Sequence, residues 1–276
     1  MWSLDYLDGN FAADPVEIRE VWDSNLEEEL SLIRSIIADY PFISMNTKFP
    51  AFLIPSAITS PTSFVFNYQN IKSNIDAIKL IQLGLTFFNS SGHLPHFGSP
   101  PRPCIWQFNF REFDTTRDIF DRNHMDFLRR SGMDIEKNHL LGVTADHFSE
   151  LIISSGIVQN NSVQWITFHS YLDLGYLLKT LTRHNLPDSH EGFLRSVLRY
   201  FPKIYDIKTL MKLCNNHSPR VLNKVAEDLG LNRVGRYHQT GSDSLLVAAV
   251  FRKLKDHFFL RSIERYAGAL RGLSLD

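Results

Sequence analysis

Apolar residues recur at three- and four-residue steps through Ile18, Val21, Trp22, Leu26, Leu30, Ile33 and Ile37. That spacing predicts one amphipathic helix over Val16 to Ala38. Asp14 would cap it, Pro15 would take its first position, and Pro41 would end it. Glu27, Glu28 and Glu29 fall on its expected solvated face. The pattern then shortens. Phe42 to Asn46, Ile81 to Phe87, Cys104 to Phe110 and Gln164 to Phe168 are compact apolar runs fit for buried strands. Phe49 to Phe64 carries three prolines and several Ser and Thr residues and reads as a long irregular loop. Ser90 to Pro103, rich in Gly and Pro, reads as a hairpin connection. Helical spacing returns at Ile71 to Leu80, Asp118 to Arg130, Ala145 to Ser154, Asp173 to Arg183, Glu191 to Tyr200, Lys208 to Cys214, Val221 to Leu229 and Ser242 to Glu264.

Composition narrows the picture. Of 276 residues, 43% are hydrophobic and 21% charged, the balance of a globular chain long enough for one large core. No internal repeat or composition break divides it. One mixed α/β domain is therefore expected over residues 14–264, between a lead (1–13) and a C-terminal tail (265–276). Lys plus Arg number 29 and Asp plus Glu 30, which excludes a strongly basic coat for nucleic acid but not a local basic groove. Cys104 and Cys214 are too few for a disulfide framework, so a reduced compartment is expected. The start, Met1 to Asp8, lacks the basic region and apolar run of a secretion signal. The longest apolar stretch, Ile78 to Phe88, is interrupted by Lys79, Gln82 and Gly84 and falls short of the roughly 20 residues of a span. No membrane association is expected, and a cytoplasmic and nuclear location is.

Three positions have the setting that metal chemistry needs. Asp173 follows the strand ending at Phe168, at a strand-to-helix turn. Asp243 opens the last long helix, with His238 just before it. The third is the end of the first strand, Met45-Asn46-Thr47-Lys48. Strand ends and helix starts along one sheet edge converge on a cleft. Alone, each has a plainer reading: Asp243 as an acid favoured by the helix dipole, His238 as a hydrogen-bonded histidine.

The order of several blocks makes the chain recognisable. Ile18-Arg19-Glu20-Val21-Trp22 is followed by Asn25-Leu26-Glu27-Glu28-Glu29, Leu80 to Thr86, and Trp106-Gln107-Phe108-Asn109-Phe110. Phe168-His169-Ser170 with Asp173 and Gly175-Tyr176-Leu177-Leu178 comes next, then Tyr205-Asp206-Ile207-Lys208, then His238-Gln239-Thr240-Gly241-Ser242-Asp243-Ser244-Leu245-Leu246. Over roughly Asp14 to Phe259 the chain resembles the Caf/Pop-type deadenylase subunits of the CCR–NOT complex. The resemblance implies a ribonuclease-H-like α/β fold, a mixed sheet flanked by helices. It implies a four-acid nuclease that uses Mg²⁺ or Mn²⁺ to remove AMP from the 3′ end of poly(A). It also implies single-stranded poly(A) RNA, a NOT-type scaffold and a second deadenylase as partners. On this sequence Asp173 and Asp243 would be metal ligands and His238 the base or water-orienting group.

The first motif departs from the family, which carries Asp-Thr-Glu-Phe-Pro-Gly where this chain has Asn46-Thr47-Lys48-Phe49-Pro50-Ala51. The four acid positions fall from a formal charge of −4 to −1, with Asp173 and Asp243 set against Lys48. An amide oxygen binds cations weakly, and an ammonium has donors only. A cation a few Å from Mg²⁺ costs on the order of a few kcal/mol. Reduced or absent hydrolysis is therefore expected. The alternative is a non-catalytic scaffold or RNA-binding paralogue that docks NOT-type partners. Lys48 is expected to pair with Asp173 or Asp243, or else to face solvent or an RNA phosphate. A second departure, Tyr171-Leu172 where the family has Gly-Tyr, places a bulky Tyr171 where it would crowd the turn before Asp173.

Overall fold

The computed structural model describes residues 16–51, 68–215, 221–259 and 263–269. The expected cap at Asp14-Pro15 and most of the loop over Phe49 to Phe64 lie outside them.

One mixed sheet organises the chain. Strand β1 is Glu17–Val21, β2 Phe42–Lys48, β3 Gln82–Phe88, β4 His96–Phe97, β5 Arg102–Asn109, β6 Gln164–Thr167 and β7 Ile204–Asp206. The order is β1-β5-β3-β2-β6-β7, with the short β4 pairing β5. β2, β3 and β5 form an antiparallel centre, and β1, β6 and β7 join in parallel. Helix α1 is Leu26–Ile36, α2 Tyr68–Ala77, α3 Arg122–Arg130, α4 Ile135–Leu141, α5 Ala145–Ser154, α6 Ser170–Thr182, α7 His190–Tyr200, α8 Ile207–Asn215, α9 Leu222–Asp228 and α10 Thr240–Phe258. One face of the sheet packs on α1, α2, α5, α6 and α7. The other packs on α8, α9 and α10. Helices α3 and α4 close a small cluster with Ile81 and Phe113.

Several helix starts are fixed by side-chain caps that satisfy otherwise unpaired N–H groups. Thr144 accepts from His147 N, Ser189 from Gly192 N, Asp121 from His124 N and Asp134 from Lys137 N.

The first predicted element is wrong in kind. Residues expected to begin a helix form β1, which runs parallel to β5 from Glu17 opposite Cys104 to Val21 opposite Phe108. Val16, Ile18 and Val21 are β-branched, and the open edge of β5 offers a full ladder of backbone bonds. Asn25 Oδ1 then accepts from Trp22 N at 2.8 Å, and a 3₁₀ turn over Asp23–Asn25 leads into α1. The helix ends at Ile36, well before Pro41. Glu29 is not solvated. Arg19 Nε and Nη2 donate to its two oxygens at 2.7 Å each, and Trp106 Nε1 donates at 2.8 Å. The last long helix stops at Phe258 instead of Glu264. β4, β7 and α4 had no counterpart among the expected elements.

Candidate active site

The pleat of β2 sorts its side chains. Ile43 and Met45 enter the core beneath α6, whereas Phe42 and Ser44 face α10. By the same alternation Thr47 faces α6, and Asn46 and Lys48 face the first turn of α10. The two remaining acids come to this strand from opposite sides, Asp173 from the first turn of α6 and Asp243 from the first turn of α10.

Asp173 is held by donors. Thr47 gives its backbone N–H at 3.1 Å and its hydroxyl at 2.7 Å to Oδ1, and His169 N–H reaches Oδ2 at 3.3 Å. Burial nevertheless pushes its carboxyl up to about 6, against the opposing pull of these bonds and of the Lys48 charge. Deeper along the same edge, Asp206 accepts from Ser170 Oγ and from Thr209 N at 2.7 Å, and burial raises its pKa also.

Asp243 is held by cations. Lys48 Nζ bonds Oδ2, and Arg233 Nη2 bonds Oδ1 at 2.7 Å. Arg233 is itself fixed. It donates to Asn223 Oδ1 at 3.2 and 2.6 Å and to Ser242 Oγ at 3.0 Å, and its guanidinium lies 5.0 Å from the Tyr237 ring centre. The geometry of α10 against the sheet rests on buried polar groups. Thr240 Oγ1 donates to Gln82 Oε1 at 2.6 Å, Gly241 N donates to Gln107 Oε1 at 3.1 Å, and Ser44 Oγ donates to Ser244 O at 2.8 Å.

His238 precedes α10 in a left-handed conformation, φ 65°, and its ring meets the edge of Phe127 at 4.4 Å. Burial, then the charge of Lys48, lowers its pKa below the ordinary imidazole value. His124, which the sequence did not single out, donates from Nε2 to Phe49 O at 3.1 Å, and burial lowers its pKa as well. No spacing marks His124 in the sequence; it arrives through α3.

Tyr171 does not crowd the turn. Its ring stacks on His190 and Phe193 and its hydroxyl lies 2.9 Å from His190 Nε2, within the core beneath α6.

The pattern of the CAF1 family ribonucleases matches residues 21–144 and 145–251. The chain belongs to the CAF1 family of ribonucleases. It is similar to a probable CCR4-associated factor 1 homolog 7 of Arabidopsis thaliana, 49% identical over 95% of both chains. The poly(A) ribonuclease pop2 of Schizosaccharomyces pombe is 40% identical over 93% of this chain and 75% of its own. The solved Mg²⁺- and Mn²⁺-bound form of that Pop2p superposes with a TM-score of 0.83 at 39% identity, covering 92% of this chain and 99% of the other. Yeast CAF1, co-crystallised with the NOT1 MIF4G domain, gives a TM-score of 0.78 at 31% identity over 94% and 98%. The ribonuclease-H-like mixed α/β fold expected from the resemblance is therefore the fold of this chain.

The metal expected from that family can be tested on the residues present. Among the described residues no group of three or more His, Cys, Asp or Glu is arranged to hold a metal ion. Both oxygens of Asp243 carry a cationic partner already. Asn46 Oδ1 is buried and has no hydrogen-bond partner among the described residues, but it is a neutral ligand at best. Two divalent ions need hard anionic oxygens to offset their repulsion. An ammonium and an amide stand at two of the four acid positions and a guanidinium holds the other oxygen of Asp243, so these residues do not fit two divalent ions.

Proposed function

We propose that the chain works as a deadenylase-type subunit of a CCR4–NOT complex, in the shortening and decay of poly(A)-tailed mRNA, with its own hydrolytic step strongly reduced. The family membership and the relatives named as CCR4-associated factor and poly(A) ribonuclease support the setting. The yeast CAF1 bound to NOT1 supports docking on a NOT-type scaffold. The observation that carries the reduced activity is the double cationic grip on Asp243, by Lys48 on one oxygen and Arg233 on the other. The family reaction removes AMP from a 3′ end with divalent metal; in this chain Asp173 and Asp243 stand at its ligand positions and His238 at that of the base or water-orienting group. Here His238 keeps a neutral ring able to take a proton, but Asp243 has exchanged its metal role for an internal ion pair. What remains is a folded cleft, suited to a scaffold or RNA-binding role beside active subunits.

A time course on 5′-labelled oligo(A), in Mg²⁺ and then Mn²⁺, tests this reading. The wild-type chain is expected to leave the oligonucleotide intact, while Asn46→Asp/Lys48→Glu shortens it stepwise. Stepwise shortening by the wild type that an Asp243→Ala control lacks overturns the reduced activity. Binding to a purified NOT-type MIF4G domain tests the docking half separately.

A further inference from the structure

Two acids and two cations make up the charged core of the cleft: Asp173 and Asp243 against Lys48 and Arg233. Their formal charges cancel without any added ion. A cleft with carboxylates at all four acid positions repels a phosphodiester until divalent ions neutralise it. In this chain the neutralising charge is covalent. Lys48 uses one of three ammonium donors on Asp243, and its side chain keeps 14% exposure, against 6% for Asp243. A second basic group, Lys208, lies beside Asp206 and reaches the His169 ring. His169, whose backbone N–H bonds Asp173, has its Nδ1 3.2 Å from Lys208 Nζ, and that ammonium lies 5.0 Å from the Phe168 ring centre.

We propose that Lys48 acts as a built-in cation in place of divalent metal, so that the cleft binds the phosphodiester backbone of single-stranded RNA independently of metal ions. This rests on the deadenylase-type reading above and gives its cleft a retained ligand. Lys48 holds Asp243 with one N–H and offers the others to a phosphate oxygen, and the contact is electrostatic, weakening with added salt.

The test is fluorescence anisotropy of 5′-labelled oligo(A), in EDTA and in Mg²⁺, at one fixed salt concentration. For the wild type the two dissociation constants are expected to agree within about twofold. For Lys48→Met, binding in EDTA weakens by about tenfold or more, while Lys48→Arg, which keeps the charge, stays near the wild type. For Asn46→Asp/Lys48→Glu, which is expected to cut in Mg²⁺ and is therefore read on phosphorothioate-linked oligo(A), binding in EDTA is weak and Mg²⁺ restores it. Circular dichroism checks each fold, and should Lys48→Met fail to fold, the wild-type comparison decides alone. Wild-type binding that weakens about tenfold on chelation overturns the proposal, as does Lys48→Met binding equal to wild type. Absence of oligo(A) binding in both buffers overturns it too, yet leaves docking to a NOT-type domain standing. Oligo(A) shortening by the wild type instead overturns the reduced hydrolysis and leaves the binding comparison in EDTA valid.

Discussion

A Cβ built on Gly84 would fall 2.3 Å from the carbonyl oxygen of Thr240 and 2.6 Å from its carbonyl carbon. Gly84 is also the register partner of Asn46 across the antiparallel β2–β3 pair. The first turn of α10 thus lies directly on the strand beside the site, and only a glycine permits that approach. Gly84→Ala is expected to push α10 outward and cost about 1–3 kcal/mol, read as a lower urea midpoint. The outward shift loosens Lys48 from Asp243, which that helix carries. A midpoint equal to the wild type would mean that the helix does not need this contact.

Glu29 joins three elements at one buried carboxylate. It takes two bonds from Arg19 on β1 and one from the Trp106 indole on β5, and it lies on α1 itself. Glu29→Ala leaves a half-buried guanidinium and a buried indole N–H without their acceptor. The expected loss is about 3–5 kcal/mol, measured by urea unfolding. Glu29→Gln keeps one acceptor and is expected to lose less. Equal stabilities for the Ala variant and the wild type would show that this bridge is replaced by water.

The same residue explains where the sequence was legible and where it was not. Glu29 stands beside Glu27 and Glu28, and a run of three acids on a helix reads as a solvated face. Its burial is set by Arg19 and Trp106, partners 10 and 77 residues away, which no local period records. β1 escapes a local reading for a related reason: Ile18 and Val21 satisfy helical spacing, and the edge of β5 that claims them lies over 80 residues further on. The spacing places α5 and α7, each with its own cap, within a residue at each end, but it starts the equally capped α3 four residues early and misses the short α4. In the site, Asp173, Asp243 and the strand end Asn46 to Lys48 are marked by their place at strand ends and helix starts, the family blocks give them expected roles, and the structure gathers them at β2 from α6 and α10. The sequence left open which acid Lys48 would meet, and the pleat of β2 decides it. Arg233 and His124 were not singled out, because their roles depend on distances that only the folded chain sets.

Glu112 gives the chain a pH dependence away from the cleft. Burial raises its pKa, against a hydrogen bond from the Ala145 N–H at the start of α5. A raised folded pKa means that the native state binds the proton more tightly than the unfolded chain. Its contribution to stability is therefore fully present below the unfolded carboxylate value of about 4.3 and lost as pH rises through the folded pKa. Glu112→Gln keeps an acceptor for Ala145 and removes the titration. Relative to this variant, the wild type is expected to lose stability as pH rises above about 4.3 and through the raised folded pKa, followed by urea unfolding. Parallel curves would show that burial does not raise the Glu112 pKa in the folded chain.

The cation on Asp243 also decides how the protein responds to metal. With Lys48 in place, the charges of the cleft are balanced and Mn²⁺ gains little by entering, so the wild-type melting temperature is expected to stay constant between EDTA and Mn²⁺. Asn46→Asp/Lys48→Glu reverses this. Carboxylates at positions 46, 48, 173 and 243 then face Arg233 alone, and their repulsion lowers stability in EDTA. Mn²⁺ binds the folded state and is expected to raise stability by about 2.7 kcal/mol at about 100 times its dissociation constant. For a chain of this size that is a rise of roughly 5–10 °C in Tm, followed by differential scanning calorimetry. The two halves of the experiment separate cause from consequence. A wild-type Tm that rises with Mn²⁺ as the double variant's does would mean that Asn46, Asp173 and Asp243 hold the ion despite Lys48. A double variant that is folded yet indifferent to Mn²⁺ would place the loss of metal affinity outside positions 46 and 48, with Arg233, the second cation on Asp243, as the residue to replace next.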